Sequence, residues 1–303
     1  MAGRRIKPLI DATVGSLTLG AFGLFKRTSR ERMANAAGHL ARVIGPKLKE
    51  HRLGRENLRA AYPEKSDAEI EQILAGVWDN LARLVVEFAH LDEFHLGSSN
   101  MVASPELMAR YERIRESGKP IIAFAAHLAN WELIALAVKQ LGIKSAVLYR
   151  PPSIPVVRDT IIKLRGPLMG ELLPNTLDAP LRMARLLQSG VSVGMLADQH
   201  YTRGVEVMFF RRRCLVNPLP ALLARQTGCA IRGVRAIRLP DRNAFSGDVT
   251  EEIEPGRAAD GSIDIQGTMQ KITDVIEGWV REHPEQWLWV HRRWRDDVAS
   301  PRK

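Results

Sequence analysis

Cysteine is scarce in this chain of 303 residues, with only Cys214 and Cys229 present. Two thiols so placed exclude a disulfide framework and show no metal-ligand spacing, which fits a reducing compartment and leaves core filling as their role. HExxH, Walker A and GxGxxG patterns are absent, and no Ser or Cys nucleophile sits in an elbow motif. Metalloprotease, P-loop and dinucleotide readings therefore lose their support. There is no internal repeat and no Gly/Ser-rich or Pro-rich linker. With 45% apolar and 26% charged residues the composition is that of an ordinary globular protein, against disorder, collagen or a polytopic membrane protein.

What the chain has in excess is positive charge: 44 Lys and Arg against 34 Asp and Glu leave a net +10. Such a surplus points to an anionic partner, whether nucleic acid, an anionic membrane or a phosphorylated substrate. No RNP-like, helix-turn-helix or zinc-finger pattern supports nucleic acid, and the cations cluster beside apolar segments. The clearest case is the N-terminus. Leu9 to Phe25 is apolar apart from Asp11 and small hydroxyls, and Arg4, Arg5, Lys7, Lys26, Arg27 and Arg30 flank it. As a helix it would span roughly 26 Å, slightly under the ~30 Å of a hydrocarbon core. A membrane anchor or interfacial helix over residues 1–32 is the expectation, with a buried amphipathic helix and a cleaved signal as alternatives.

Beyond it, Ile70, Ile73, Leu74, Val77, Leu81, Leu84, Val85 and Phe88 recur at the spacing of one helix face, and Ser66 with Glu69 forms a capping box. Short apolar runs opened by Pro120, Ser145 and Val191 read as strands buried on both faces. They alternate with helical patterns at Trp131 to Leu141, Val156 to Leu168, Asp178 to Gln188 with Asp178 as cap, and Pro218 to Gln226 behind Asn217. This alternation predicts an α/β domain over residues 33–303 with a largely parallel sheet, behind a helical N-terminal arm. Strands around Val205 to Phe210, Ala230 to Leu239 and Phe245 to Ile253 follow one another closely enough to pair antiparallel, which makes the sheet mixed. Ile263 to Glu282 reads as a last helix, stopped by Pro284.

The first strand ends in His127, followed by Leu128, Ala129, Asn130, Trp131 and Glu132. On a continuous helix of ~3.6 residues per turn, positions five apart point about 140° away from each other. If instead His127 leaves the carboxyl end of a strand and Asn130 caps the next helix, Glu132 can fold back toward the imidazole. A carboxylate on one ring nitrogen fixes the tautomer and leaves the other free to take a proton from a hydroxyl. The plain alternative is a core histidine with Glu132 as a cap partner.

HLANWE at 127–132, YRPPSIP at 149–155, LADQ at 196–199, MFFRRR at 208–213 and EHPEQWLWVHRRWR at 282–295 together resemble the late (lauroyl/myristoyl) acyltransferases of lipid A biosynthesis, from about Arg52 to Arg295. The resemblance implies an αβα glycerophosphate-acyltransferase-like fold and transfer of a fatty acyl chain from acyl carrier protein, or coenzyme A, to a hydroxyl of a lipid A precursor. It implies His127 as base with Glu132 as its partner, no metal or redox cofactor, and a place at the cytoplasmic face of the inner membrane. Ala129, where many relatives have Gly, Ile154, where they have Asn, and His200, after Asp198 and Gln199, depart from the pattern. A glycerophospholipid or aminolipid acceptor keeps the same chemistry, and an inert membrane scaffold is the reading without catalysis.

Asn130, Arg150, Arg165, Asp198, Gln199 and Arg292 are the further candidates for substrate or oxyanion contact, Arg165 and Asp198 through positions the resemblance marks as functional. A guanidinium beside the second strand could clamp a phosphate or stabilise an oxyanion. Arg211, Arg212 and Arg213 adjoin aromatic residues and read as a solvated run or a membrane contact. Trp279, Trp287, Trp289 and Trp294 read as core packing of the C-terminal segment, or as an interfacial belt. His39, His51, His90, His95, His283 and His291 read as structural.

Overall fold

A computed structural model of the chain describes residues 15–16, 18–241 and 243–295. Helical residues 18–26 (α1) lead into α2 (Arg30–Ile44), α3 (Lys49–Ala61) and the long α4 (Asp67–Ala89). The capping box at the start of α4 is present: the Ser66 hydroxyl accepts the Glu69 N–H, and the Glu69 carboxylate accepts the Ser66 N–H. Residues 1–14 and 17 of the expected N-terminal segment lie outside the described residues. Its end is docked on the protein: Phe22 contacts Phe88 at 6.0 Å, Lys26 pairs with Asp92, and the His90 imidazole meets the Phe25 carbonyl. No described helix is long and apolar enough to cross a membrane.

The α/β part begins with β1 (Met101–Val102) and α5 (Pro105–Ser117). It continues through β2 (Ile121–Ala125), α6 (Glu132–Gln140), β3 (Ser145–Tyr149), α7 (Pro155–Arg165), β4 (Glu171–Pro174), α8 (Ala179–Gln188) and β5 (Ser192–Leu196). After β5 come β6 (His200–Phe209), β7 (Arg212–Val216), α9 (Leu219–Thr227), β8 (Ala230–Arg238) and β9 (Phe245–Glu252), then the short β10 (Gly256–Arg257) and β11 (Ile263–Asp264), and α10 (Ile265–Glu282). Asp178 precedes α8, but its carboxylate accepts from the Thr176 hydroxyl rather than from the helix.

Seven strands form one sheet in the order β1-β9-β8-β2-β5-β3-β4. The expected mixture is there: β8 and β9 are antiparallel, and the other neighbouring pairs, β1/β9, β8/β2, β2/β5, β5/β3 and β3/β4, are parallel. The sheet separates two apolar layers. Ile122 and Phe124 of β2 join α8, α9 and α10 on one face; Ala125 of β2 and Val234 of β8 join α5 on the other.

The strand expected at Val205 to Phe210 does form, but outside this sheet, where β6 pairs antiparallel with β7 alone. The hairpin lies against α10, whose Gln270 and Glu277 side chains take the N–H groups of Met208 and Phe210. Its turn residues Phe210 and Arg211 both have positive φ, +51° and +57°. Buried Phe210, wedged at 5.2 Å from Tyr62 and 5.5 Å from Trp289, holds this otherwise unfavourable turn. The tryptophans follow the core-packing alternative, Trp287 and Trp289 being fully buried, and Arg212 stacks over Trp294 at 4.5 Å. Exposed Arg211 has no such anchor. Arg211→Gly is expected to raise stability by roughly 0.5–1 kcal/mol, the left-handed penalty less the entropy glycine costs, as read by urea denaturation.

Candidate active site

The register of two neighbouring strands builds the site. Ile122 lies opposite Val193 and Ala125 opposite Leu196 in the parallel pair β2/β5. Continued by two residues, the same register brings His127 beside Asp198. The chain leaves β2 for α6 on one face and β5 for the hairpin and α9 on the other, so the two residues sit where α/β sheets open their ligand crevices.

Asp198 is 1% exposed and fully engaged. Its Oδ1 accepts from His127 Nδ1 at 2.8 Å, and its Oδ2 accepts the His127 backbone N–H and the Trp287 indole N–H, each at 2.8 Å. Burial pushes the Asp198 carboxyl up, but the charge and hydrogen bonds of His127 outweigh it and hold the group well below the usual carboxylate range. With Nδ1–H given to a carboxylate, Nε2 is the bare nitrogen, and it accepts from the Gln199 amide at 3.2 Å.

Asp198, and not Glu132, is therefore the carboxylate on the imidazole. Glu132 opens α6, its N–H received by Asn130 Oδ1 at 3.2 Å, and its carboxylate turns to the guanidinium of Arg165 at the end of α7. The Nδ1 edge of His127 is already occupied from the neighbouring strand, and an arginine offers Glu132 a stronger, charge-assisted partner. Arg165 also stacks over Phe88 at 5.3 Å, and its buried Nε has no hydrogen-bond partner.

His127, Glu132, Arg165 and Gln199 share one cavity of about 530 Å³. Below His127 the same face of β2 contributes Ala125, Ala123 and Ile121 in a descending row, and β5 contributes Gly194. The small side chains of Ala123 and Ala125 and the bare Gly194 leave a slot between sheet and helices that Ile134, Val138 and Ile114 close. A Cβ built on Gly194 would meet only the Ala146 carbonyl, at 4.0 Å, so that position faces open space. The result is an apolar channel with a polar head.

The other expected residues divide. Arg150 is exposed and lines the cavity. Asn130 is buried behind it, its amide on Glu87 Oε2 at 3.0 Å. Arg292 is exposed and does not line the cavity; the buried arginine of the tail is Arg293, which donates to the Leu215 carbonyl and lies over Phe209. Sequence reasoning missed the part Trp287 plays, for which the repeated tail tryptophans were the available signal. Ala129 has φ +48°, a left-handed conformation that glycine adopts without steric cost. No cluster of three or more His, Cys, Asp or Glu among the described residues is placed to hold a metal.

A histidine–carboxylate pair thus heads an apolar channel at the strand ends of a mixed α/β sheet. The family model of bacterial lipid A biosynthesis acyltransferases matches residues 7–296, and the chain belongs to that family of acyltransferases. Comparison with curated proteins gave no match.

His291, next to this site, also reads as structural. Its Nδ1 contacts the Leu288 carbonyl, and its ring packs on Trp287 at 5.4 Å. Burial pushes its pKa down to about 4, opposed by Asp198 and reinforced by His127 and Arg293. Between pH ~6.5 and about 4 the unfolded chain takes up a proton there that the folded chain refuses. This contribution to stability is complete above pH ~6.5 and falls by about 3 kcal/mol on acidification through the window. Urea denaturation at pH 7 and pH 4.5 should show a smaller acid loss in His291→Gln than in wild type.

Proposed function

We propose that the protein transfers a fatty acyl chain from a thioester, on acyl carrier protein or coenzyme A, to a hydroxyl of a lipid A precursor, with His127 as general base. The observation that carries this reading is the His127 imidazole, its Nδ1 against Asp198, at the head of a channel walled by Ala123, Ala125 and Gly194. The channel suits an acyl chain, and its head suits the thioester carbonyl. Nε2 takes the proton of the acceptor hydroxyl, displacing the Gln199 amide, and the oxygen attacks the carbonyl carbon. Asp198 fixes the tautomer and stabilises the imidazolium. Arg165, oriented by Glu132, directs its remaining donors at the oxyanion, and the departing thiolate takes the proton back from His127. A thioester is already activated, so the chemistry asks for no metal or redox cofactor.

We place the reaction at the cytoplasmic face of the inner membrane. Leu40, Val43, Ile44 and Leu48 form an exposed apolar row along the end of α2 and beyond, flanked by Arg42, Lys47 and Lys49. The basic surface and the cavity residue Arg150 fit both an acidic carrier protein and the phosphates of the acceptor.

Acyl transfer from labelled acyl carrier protein to a lipid A precursor tests the reading. His127→Ala and Asp198→Asn should each lower kcat by roughly 10²–10⁴-fold while remaining folded. Wild-type rates in folded His127→Ala would overturn the base assignment. Gly194→Leu should fold, fill the channel and shift the transferred chain to a shorter one, as read by mass spectrometry of the product. The product's mass also separates lipid A precursors from glycerophospholipid or aminolipid acceptors.

A further inference from the structure

The loop from His127 to Glu132 carries two of the polar side chains of the cavity head, yet Ala129 at its centre is left-handed and completely buried. A residue with a Cβ keeps that conformation only where its surroundings over-determine it. Those surroundings are polar. Arg238 of β8, 6% exposed, grips Glu87 of α4, 1% exposed, with Nη1 on Oε1 and Nη2 on Oε2 at 3.0 Å. Glu87 Oε2 also accepts the Asn130 amide at 3.0 Å. Arg238 Nε donates to Asn80 Oδ1 at 2.9 Å, and Asn80 Nδ2 donates to the carbonyls of Ala129 and Gln286 at 3.4 and 3.3 Å.

Gln286 closes the frame. Its carbonyl accepts the Ala129 N–H at 2.9 Å, and its side-chain amide spans the Arg238 backbone, accepting N–H at 2.8 Å and donating to the carbonyl at 3.0 Å. Both peptide groups of Ala129 and the Asn130 side chain are thus held by residues that do not line the cavity. A buried ion pair gains little stability over apolar residues of similar volume, and both members of this one are tied by further hydrogen bonds to Asn130 and Asn80.

We propose that Glu87, locked by Arg238, is a positioning residue for acyl transfer. Together with Asn80 and Gln286 it fixes the 129–130 turn so that His127 and Glu132 face one cavity. The inference rests on the reading of His127 as general base.

Glu87→Asp tests it, because the carboxylate keeps its charge opposite Arg238 but withdraws from Asn130 by one methylene. Misplacement of that order costs up to ~100-fold in rate. With melting temperature and folded fraction measured alongside, kcat per folded molecule should fall roughly ten- to hundredfold, with KM for donor and acceptor within about twofold. In nitrogen-15 spectra of histidine-labelled protein, the ring signals lost in His127→Ala should shift in Glu87→Asp, while those of His39 and His51 stay. Wild-type kcat together with unmoved His127 signals would overturn the proposal. Should Glu87→Asp fail to fold, Glu87→Leu with Arg238→Met leaves no unpaired charge. The same loss of kcat is then expected, and wild-type kcat would again overturn it. Full activity in His127→Ala would instead sink the general-base reading, and the histidine signals alone would then decide whether Glu87 positions the loop.

Discussion

The structure turns on a carboxylate that has been taken out of water. Asp198 keeps its charge in the interior because three donors converge on it, two from His127 and one from Trp287. Each donor requires a different part of the chain to be in place. The register of β2 against β5 delivers His127, and the segment after α10 delivers the indole. The same contact that makes the buried charge tolerable also sets the imidazole tautomer, so folding and the readiness of Nε2 are consequences of one arrangement.

The two faces of β2 show how the sheet serves both packing and the cavity. Ile122 and Phe124 point into the larger apolar layer, where Phe124 stacks on Trp279 at 5.7 Å. The alternate residues Ala123 and Ala125 are too small to fill the space under the helices. A sheet close-packed on one side is left open on the other, and the opening leads directly to His127. Side-chain size along a period of two residues is enough to create that asymmetry.

Much of this was legible in the sequence. Apolar runs without alternation marked β2, β3 and β5, the Ser66–Glu69 box marked the start of α4, and Pro284 marked the end of α10. The imidazole at the end of β2 was legible too, from a histidine closing an apolar run ahead of a helical pattern. Its partner was not. Glu132 is the nearest acid along the chain, whereas Asp198 lies 71 residues away and becomes a neighbour only because β5 inserts between β2 and β3. Strand order is a property of the assembled sheet and leaves no local mark. The hairpin β6/β7 was hidden for another reason: its turn is Phe210-Arg211, without the Asn-Gly or Asp-Gly chemistry that announces such turns, and buried aromatic packing enforces it instead. Helices α2 and α3 read only as a helical arm.

The short stretch from Pro284 to Arg293 has a bearing on biogenesis. It supplies the Gln286 carbonyl to Ala129, the Trp287 indole to Asp198 and the Trp289 carbonyl to Asn57, which lies 232 residues earlier. Strands and helices made at the ribosome before this stretch can pair and collapse, but the interior charge on Asp198 lacks its third donor until Trp287 has emerged. Contacts so far apart along a chain are slow to close. Maturation of the centre therefore follows that of the sheet, and a polypeptide released before Pro284 would hold all seven strands and lack the Trp287 donor.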